Sequence, residues 1–338
     1  MKSIVRYFLT TICVIALVNS LSQSQDLSEQ LSKMSGDAAN SYVSPLLSGW
    51  GVGLNSAFYH SADLHDVLGF DIGIKATFFN WKDGDKTYNF QMPDKIRIYN
   101  PLVAYNPNDP ATYSDLLRGN NYPTSIVAQT VAGEKKSTPV IANLPYNLGQ
   151  QTIFELPGGL GTPGAGLIIP QASIGLPLGL ELIGRFIPTT TIKDIGKVNF
   201  MGFGLRYSID QWIPICPVDI AVHFMIQKFN FKDSSDNNLI SASASAYGVE
   251  ISKRLFIFTV YGGFQMEKAK FTVGPYNAKI VSGTSTIPVA VDAFDVESPN
   301  KSRFTVGVRL LLLILNVHAE YSIAETPIFG AGVGITIR

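Results

Sequence analysis

The sequence predicts an all-β protein: a transmembrane, up-and-down antiparallel β-barrel of about twelve strands, or fourteen, with a short N-terminal helical segment. Three observations predict it. The chain opens with the pattern of an export signal. Charged residues are 15% of the 338 residues, well below the ~25% usual in soluble domains. Long segments alternate strictly between apolar and polar side chains, at lengths that suit a membrane strand better than a soluble one.

Lys2 and Arg6 precede an apolar run from Phe8 to Val18, and small residues follow from Ser20. That is the layout of a cleaved signal peptide, taken as residues 1–24. The run is too short to span a bilayer, which needs ~20 apolar residues. Cys13 lies inside it, so Cys216 is left alone and no intrachain disulfide is expected. Residues 25–47 read as a helical segment or plug. There Leu27, Leu31, Met34 and Ala38 recur at helical spacing behind a capping Asp26, and Leu27, Leu31 and Met34 are the plug candidates.

From residue 48 the period changes from 3.6 to 2, and 48–338 is assigned to the barrel. In the segment GFDIGIKATFF, Phe70, Ile72, Ile74, Ala76 and Phe78 alternate with Asp71, Gly73, Lys75 and Thr77. Val218, Ile220, Val222, Phe224 and Ile226 alternate with Asp219, Ala221, His223, Met225 and Gln227. Leu180 and Leu182 oppose Glu181 and Arg185. The run of six apolar residues from Leu310 to Leu315 is no spanning helix, because Arg309 precedes it and Asn316, His318 and Glu320 follow. It reads as a hairpin turning at 311–314. Working back from the C-terminus, strands are expected near 327–338, 314–323, 301–311, 256–275, 240–252, 218–230, 197–208, 178–187 and 166–176. Earlier ones are expected near 86–97, 68–80 and 48–60. The connections alternate between short ones, expected on the periplasmic side, and longer polar ones outside. Trp81 and Trp212 both fall at expected periplasmic ends. Residues 98–165, rich in Pro, Asn and Gly, read as a long irregular insertion.

The segments GWGVGLNSAFYH, LPLGLELIGRFIP, GFGLRYSIDQWIPICPVDIAVHFMIQKF and NVHAEYSIAE resemble an uncharacterised family of Gram-negative outer-membrane β-barrels, itself distantly similar to long-chain fatty-acid transporter (FadL-like) barrels. The resemblance covers roughly residues 42–80 and 165–338. It implies a monomeric barrel in the outer membrane with an N-terminal segment partly inside. It supplies no catalytic or binding residues.

Net charge is zero, so nothing favours nucleic acid as a partner. Outer-membrane lipid is the expected partner, with a hydrophobic small molecule as the candidate ligand. His60 and His65 sit five apart with no cysteine near, which suits solvated loop residues rather than a metal site. The glycine-rich LPGGLGTPGAG lacks the Lys-Ser/Thr of a phosphate loop, and no Gly-x-Ser-x-Gly elbow appears. No cofactor, no metal and no enzyme activity are expected. The candidate site is the lumen. Its polar phase collects Asp71, Lys75, Glu181, Arg185, Arg206, Asp219, His223, Glu250, Arg309, His318 and Glu320. Both signs are present, which suits an ion-pair network better than a charge-selective pore. The expected function is a transporter or channel for hydrophobic or small molecules. The alternative is a structural or surface-assembly barrel. A continuous apolar pocket would favour the first, and a filled lumen the second.

Overall fold

A computed structural model describes residues 36–99, 109–145, 148–192, 196–233, 235–282 and 285–337. The expected signal peptide and the plug candidates Leu27, Leu31 and Met34 lie outside the described residues.

Ten strands form the wall: β1 (Phe70–Asn80), β2 (Gly164–Leu176), β3 (Leu180–Ile192), β4 (Gly196–Ser208), β5 (Asp219–Lys232), β6 (Asn238–Leu255), β7 (Phe258–Val273), β8 (Ser302–Leu312), β9 (Leu315–Ile323) and β10 (Ile328–Ile337). Each pairs antiparallel with its sequence neighbours. The ladder closes where β1 meets β10, from Phe70↔Ile337 to Phe78↔Phe329. Closure removes the open edges that would otherwise seek another chain. A short strand at Phe294–Glu297 extends the wall beside the upper part of β7.

The strand alternation resolves as inside-out. On β5, Ala221, His223, Met225 and Gln227 are buried, while Val222, Phe224 and Ile226 are exposed. On β1, Asp71, Lys75 and Thr77 face inward and Ile72 and Phe78 outward. An apolar outer wall around a polar interior is the polarity of a barrel solvated by hydrocarbon. No described helix is long and apolar enough to cross a membrane, which says nothing of spanning by strands.

The expected count of twelve is corrected to ten. The two surplus strands are those placed at 48–60 and 86–97. Residues 48–60 belong instead to a lumenal segment: helix α1 (Gly36–Leu54) and an extended run that descends to β1. The helix begins with Asp37 in its first turn, which favours the helix dipole. It also contains Pro45 and four glycines, residues that disfavour a helix in water. Burial inside the barrel therefore decides its conformation. Close approach needs the glycines: a Cβ on Gly49 would lie 2.0 Å from the Phe79 ring, and one on Gly51 would lie 2.7 Å from Ser298 Cβ.

Where it is described, the region expected as an irregular insertion at 98–165 carries paired strands, and the pairing starts earlier, at Thr87. Between β1 and β2 the chain makes three strand pairs: Thr87–Gln91 with Ser125–Gln129, Lys95–Tyr99 with Tyr113–Leu117, and Thr138–Leu144 with Gly149–Leu156. Met92, Leu116, Tyr122, Ala128, Val140 and Leu156 give this cap its own apolar core. Val131, Ala132 and Leu160 join the cap to the helix. Val131 N–H donates to Tyr42 O at 3.0 Å, and Tyr42 OH donates to Gly158 O at 2.8 Å. Because the cap has a core of its own, Met92→Asp should unfold it and leave the barrel standing. Burying an unpaired carboxylate costs several kcal/mol. The expected result is new tryptic cleavage at Arg118 with the unheated gel mobility of the barrel retained. Loss of both together would show that cap and barrel fold as one.

The barrel has two unlike ends. The C-terminal end carries Phe70, Ile337 and short connections at 177–179, 209–218, 256–257 and 313–314. The cap end carries the two longest, 81–163 and 274–301, together with a short one at 324–327. Trp81 and Trp212 were expected at the same end, and the structure separates them. Trp81 follows β1 at the cap end, buried edge-on against Phe79 with ring centroids 5.1 Å apart. Trp212 is exposed at the C-terminal end, where its indole N–H donates to Tyr207 OH at 2.6 Å.

Candidate functional site

The lumen has two layers. Toward the cap it is apolar, with Tyr42, Val43, Leu46 and Leu47 of α1 packed against Phe200, Phe271 and Val273 of the wall. Inward-facing Ala242, Ala244 and Ala246 of the SASASA segment keep the wall thin there. Toward the C-terminal end it is polar. There residues 55–69 thread between charged wall side chains.

Three arginines hold that segment. Arg185, on β3, donates from Nη1 to Leu54 O at 3.0 Å and from Nη2 to Ser56 O at 2.7 Å. Its Nε donates to Gln171 Oε1 at 2.8 Å, and Nη1 also reaches Gln227 Oε1 at 3.1 Å. Gln171 and Gln227 in turn donate to Phe58 O at 2.9 Å and Leu54 O at 2.7 Å. Arg303, on β8, donates to Val52 O at 3.1 Å and to Ser56 Oγ, while Glu267 pairs with it through Nε at 2.9 Å. Arg206, on β4, joins Glu181 and Glu250, each at 2.7 Å, and donates to Ser61 O. Carboxylates take the amides of the same segment. Glu181 accepts from His65 N at 3.1 Å and lies 2.7 Å from His65 Nδ1. Glu320 accepts from Ala57 N at 3.0 Å and from Tyr261 OH at 3.1 Å. The backbone groups Leu54 O, Ser56 O, Ala57 N, Phe58 O, Ser61 O and His65 N thereby find partners that water would otherwise supply.

A second cluster joins β1, β9 and β10. Asp71 accepts from Asn316 at 2.5 Å and Thr336 at 2.6 Å, and lies 3.5 Å from His60 Nε2. Lys75 stands 3.9 Å from Asp71 and 3.4 Å from His318 Nε2, and the His60 and His318 rings are 4.8 Å apart. His223 stacks on Tyr59 with centroids 5.5 Å apart and lies 3.9 Å from Glu250. Arg309 is buried in register opposite His318. Asp219 is half-buried near the C-terminal mouth and accepts from Ser252 at 2.9 Å.

Ten of the eleven lumen candidates are buried and Asp219 is half-buried at the mouth, spread over neighbouring networks rather than gathered in one site. His60 and His65, expected as solvated loop residues, are corrected to buried ones, because the segment carrying them runs down the lumen. The sequence reading missed Arg303, Glu267, Gln171 and Asn316. Arg303 was within reach, since it shares the phase of Thr305 and Arg309 on β8. Among the described residues no three His, Cys, Asp or Glu side chains are placed to hold a metal ion. A cavity of about 230 Å³ opens at the C-terminal mouth, lined by His65, Asp66, Leu176 and Asp210 among others.

No curated protein matches the chain in sequence. Solved structures align with it weakly. OmpT, an outer membrane protein of Vibrio cholerae, is 12% identical with a TM-score of 0.26, covering 81% of this chain and 99% of that one. The translocator domain of the autotransporter NalP from Neisseria meningitidis is 10% identical with a TM-score of 0.27, covering 82% and 90%. The CymD monoaromatic hydrocarbon channel is 8% identical with a TM-score of 0.22, covering 80% and 89%. Likenesses of this size carry no argument about function, and the barrel assignment rests on the closed ladder. The expectation that the chain is no enzyme is withdrawn: OmpT stands among the aligned barrels, and an alignment this weak neither assigns an activity nor excludes one. None of the three is a fatty-acid transporter. A family model matches residues 1–337, and the chain belongs to that family, the family of unknown function DUF6588.

Proposed function

We propose that the chain is a monomeric outer-membrane barrel, closed at rest by its own lumenal segment, which carries the folded cap at the membrane surface as a platform for assembly. One observation carries this reading: residues 36–69 fill the lumen and are bonded to the wall by buried Arg185, Arg206, Arg303, Glu181 and Glu320. Passage of a hydrophobic or small molecule, the transport reading, requires a lumen path that this segment occupies. The apolar outer wall supports lipid as the surrounding solvent. The eleven lumen candidates then act as a brace for the segment.

The test is conductance. Purified protein in planar lipid bilayers should show no steady current, and proteoliposomes should not admit small sugars. A steady ohmic conductance, or uptake of a defined solute by the unmodified protein, would replace the platform reading with transport.

A further inference from the structure

Five connections run along the C-terminal end of the barrel: the entry to β1 and the turns after β2, β4, β6 and β8. Each presents large apolar side chains, one of which stands at the tip. The tip residues are Leu68, Leu178, Ile215, Phe256 and Leu313, and they are 73%, 80%, 100%, 99% and 96% exposed. All five have left-handed backbone, with φ between 56° and 69°, and they are five of the seven described non-glycine residues with positive φ. Left-handed turn positions favour Gly, Asn or Asp, because a Cβ crowds the following carbonyl. A β-branched Ile215 is among the least suited residues there. Apolar tips thus sit at every connection on this end in spite of both backbone strain and exposure.

The height of the apolar wall explains why. On β7 the outward apolar series runs from Phe258 to Met266 and stops at exposed Lys268. Eight steps at ~3.4 Å give about 27 Å along the strand, and a tilt of 35–45° leaves about 20 Å of height. On β4 the series from Met201 to Tyr207 gives only about 15 Å by the same arithmetic, and Asn199 and Lys197 follow above it. A membrane barrel needs an apolar band of ~25 Å. Toward the cap the outward lysines Lys228 and Lys268 end the band, whereas the outward Lys253 near the turns donates to Pro217 O of the connection below it and apolar Leu255 and Phe256 follow, so the missing height lies at the turns.

From this we infer that the five apolar tips form a lipid-immersed collar, so that this mouth lies at the boundary of headgroups and acyl chains instead of projecting into water. The occupant is lipid, continuous with that of the outer wall. The inference rests on the membrane reading given above.

Phe256→Cys and Leu313→Cys, each with Cys13→Ser and Cys216→Ser and labelled with bimane, test it in phosphatidylcholine vesicles. Phe224→Cys on the outer wall serves as the membrane control. Nitroxides near the headgroups should quench both tip labels, nitroxides deep in the acyl chains should quench the wall label, and aqueous iodide should quench none. Iodide quenching at the tips with lipid quenching kept at 224 overturns the collar alone. Loss of lipid quenching at 224 overturns the membrane reading itself. Tip labels reached by neither quencher are covered by protein, a second copy or a partner, which also overturns the collar.

Discussion

Arg185→Met lowers the stability of the barrel by about 3–5 kcal/mol, because several buried neutral acceptors lose their charged donor at once. The guanidinium supplies donors to four acceptors: Leu54 O, Ser56 O, Gln171 Oε1 and Gln227 Oε1. Methionine keeps the unbranched stem and the packing over Phe58, whose ring centroid lies 5.5 Å from the Arg185 guanidinium carbon. It removes every donor. Each acceptor orphaned in the closed lumen costs ~1–3 kcal/mol. Part of that is recovered because Gln227 Nε2 still reaches Leu54 O at 2.7 Å. The measurement is the urea midpoint of the folded gel band, together with hydrogen exchange at residues 55–60. Exchange there should accelerate before the wall opens. A loss under ~1 kcal/mol with unchanged exchange would mean that water replaces the arginine, and the brace would lose its central member.

Gly49→Ala is the second large effect. One added carbon would stand 2.0 Å from the Phe79 ring. That ring is 2% exposed and packed against Trp81, so it has no room to turn away. Overpacking of this kind costs ~1–3 kcal/mol. Here the strain can be relieved by unseating α1, so a conductance absent from the unmodified protein should appear. Phe79→Leu in the same chain should restore the seal, since the two residues share one contact and their effects should not add. Gly36→Ala is the control, because its Cβ meets nothing within 4 Å. Purely additive losses in the double variant would mean that Phe79 does not decide how the helix seats.

These two residues show what the sequence made legible. Arg185 is readable as a lumen residue from Glu181, Leu182 and Phe186 around it, because a strand with lipid on one side and polar groups on the other must alternate. Each of the ten wall strands lies within a few residues of its expected place. Gly49 is not readable in that way. Gly49, Gly51 and Gly53 alternate with apolar residues and imitate a strand. In the folded chain Gly49 approaches Phe79, Gly51 approaches Ser298, and Gly53 approaches Leu167 and Thr77. Over Ala38–Leu47 the helix keeps a period of 3.6, with Asp37 and Ser41 exposed on its other face, but over Gly49–Leu54 every residue except Trp50 is buried and the period is lost. Of the cap strands only Thr87–Gln91 and Lys95–Tyr99 were touched, merged as one wall strand at 86–97, and the others escaped for a related reason. Pairs of five to eight residues around a small core carry too few alternations to stand out.

By itself the sequence determined the class of the protein: the strands, their inward phase and the mixed charge of the interior. Each is a local property of side-chain order and solvent contrast. Only the tertiary structure decided that the lumen is filled and that His60 and His65 are buried within it. It alone drew Arg303 and Glu267 into the brace. Those outcomes depend on where residues 36–69 lie relative to a wall built from residues far along the chain. Contacts such as Ser56 with Arg303 or His65 with Glu181 leave no periodic trace in either partner, because their spacing is set by closure of the barrel and not by the repeat of a strand.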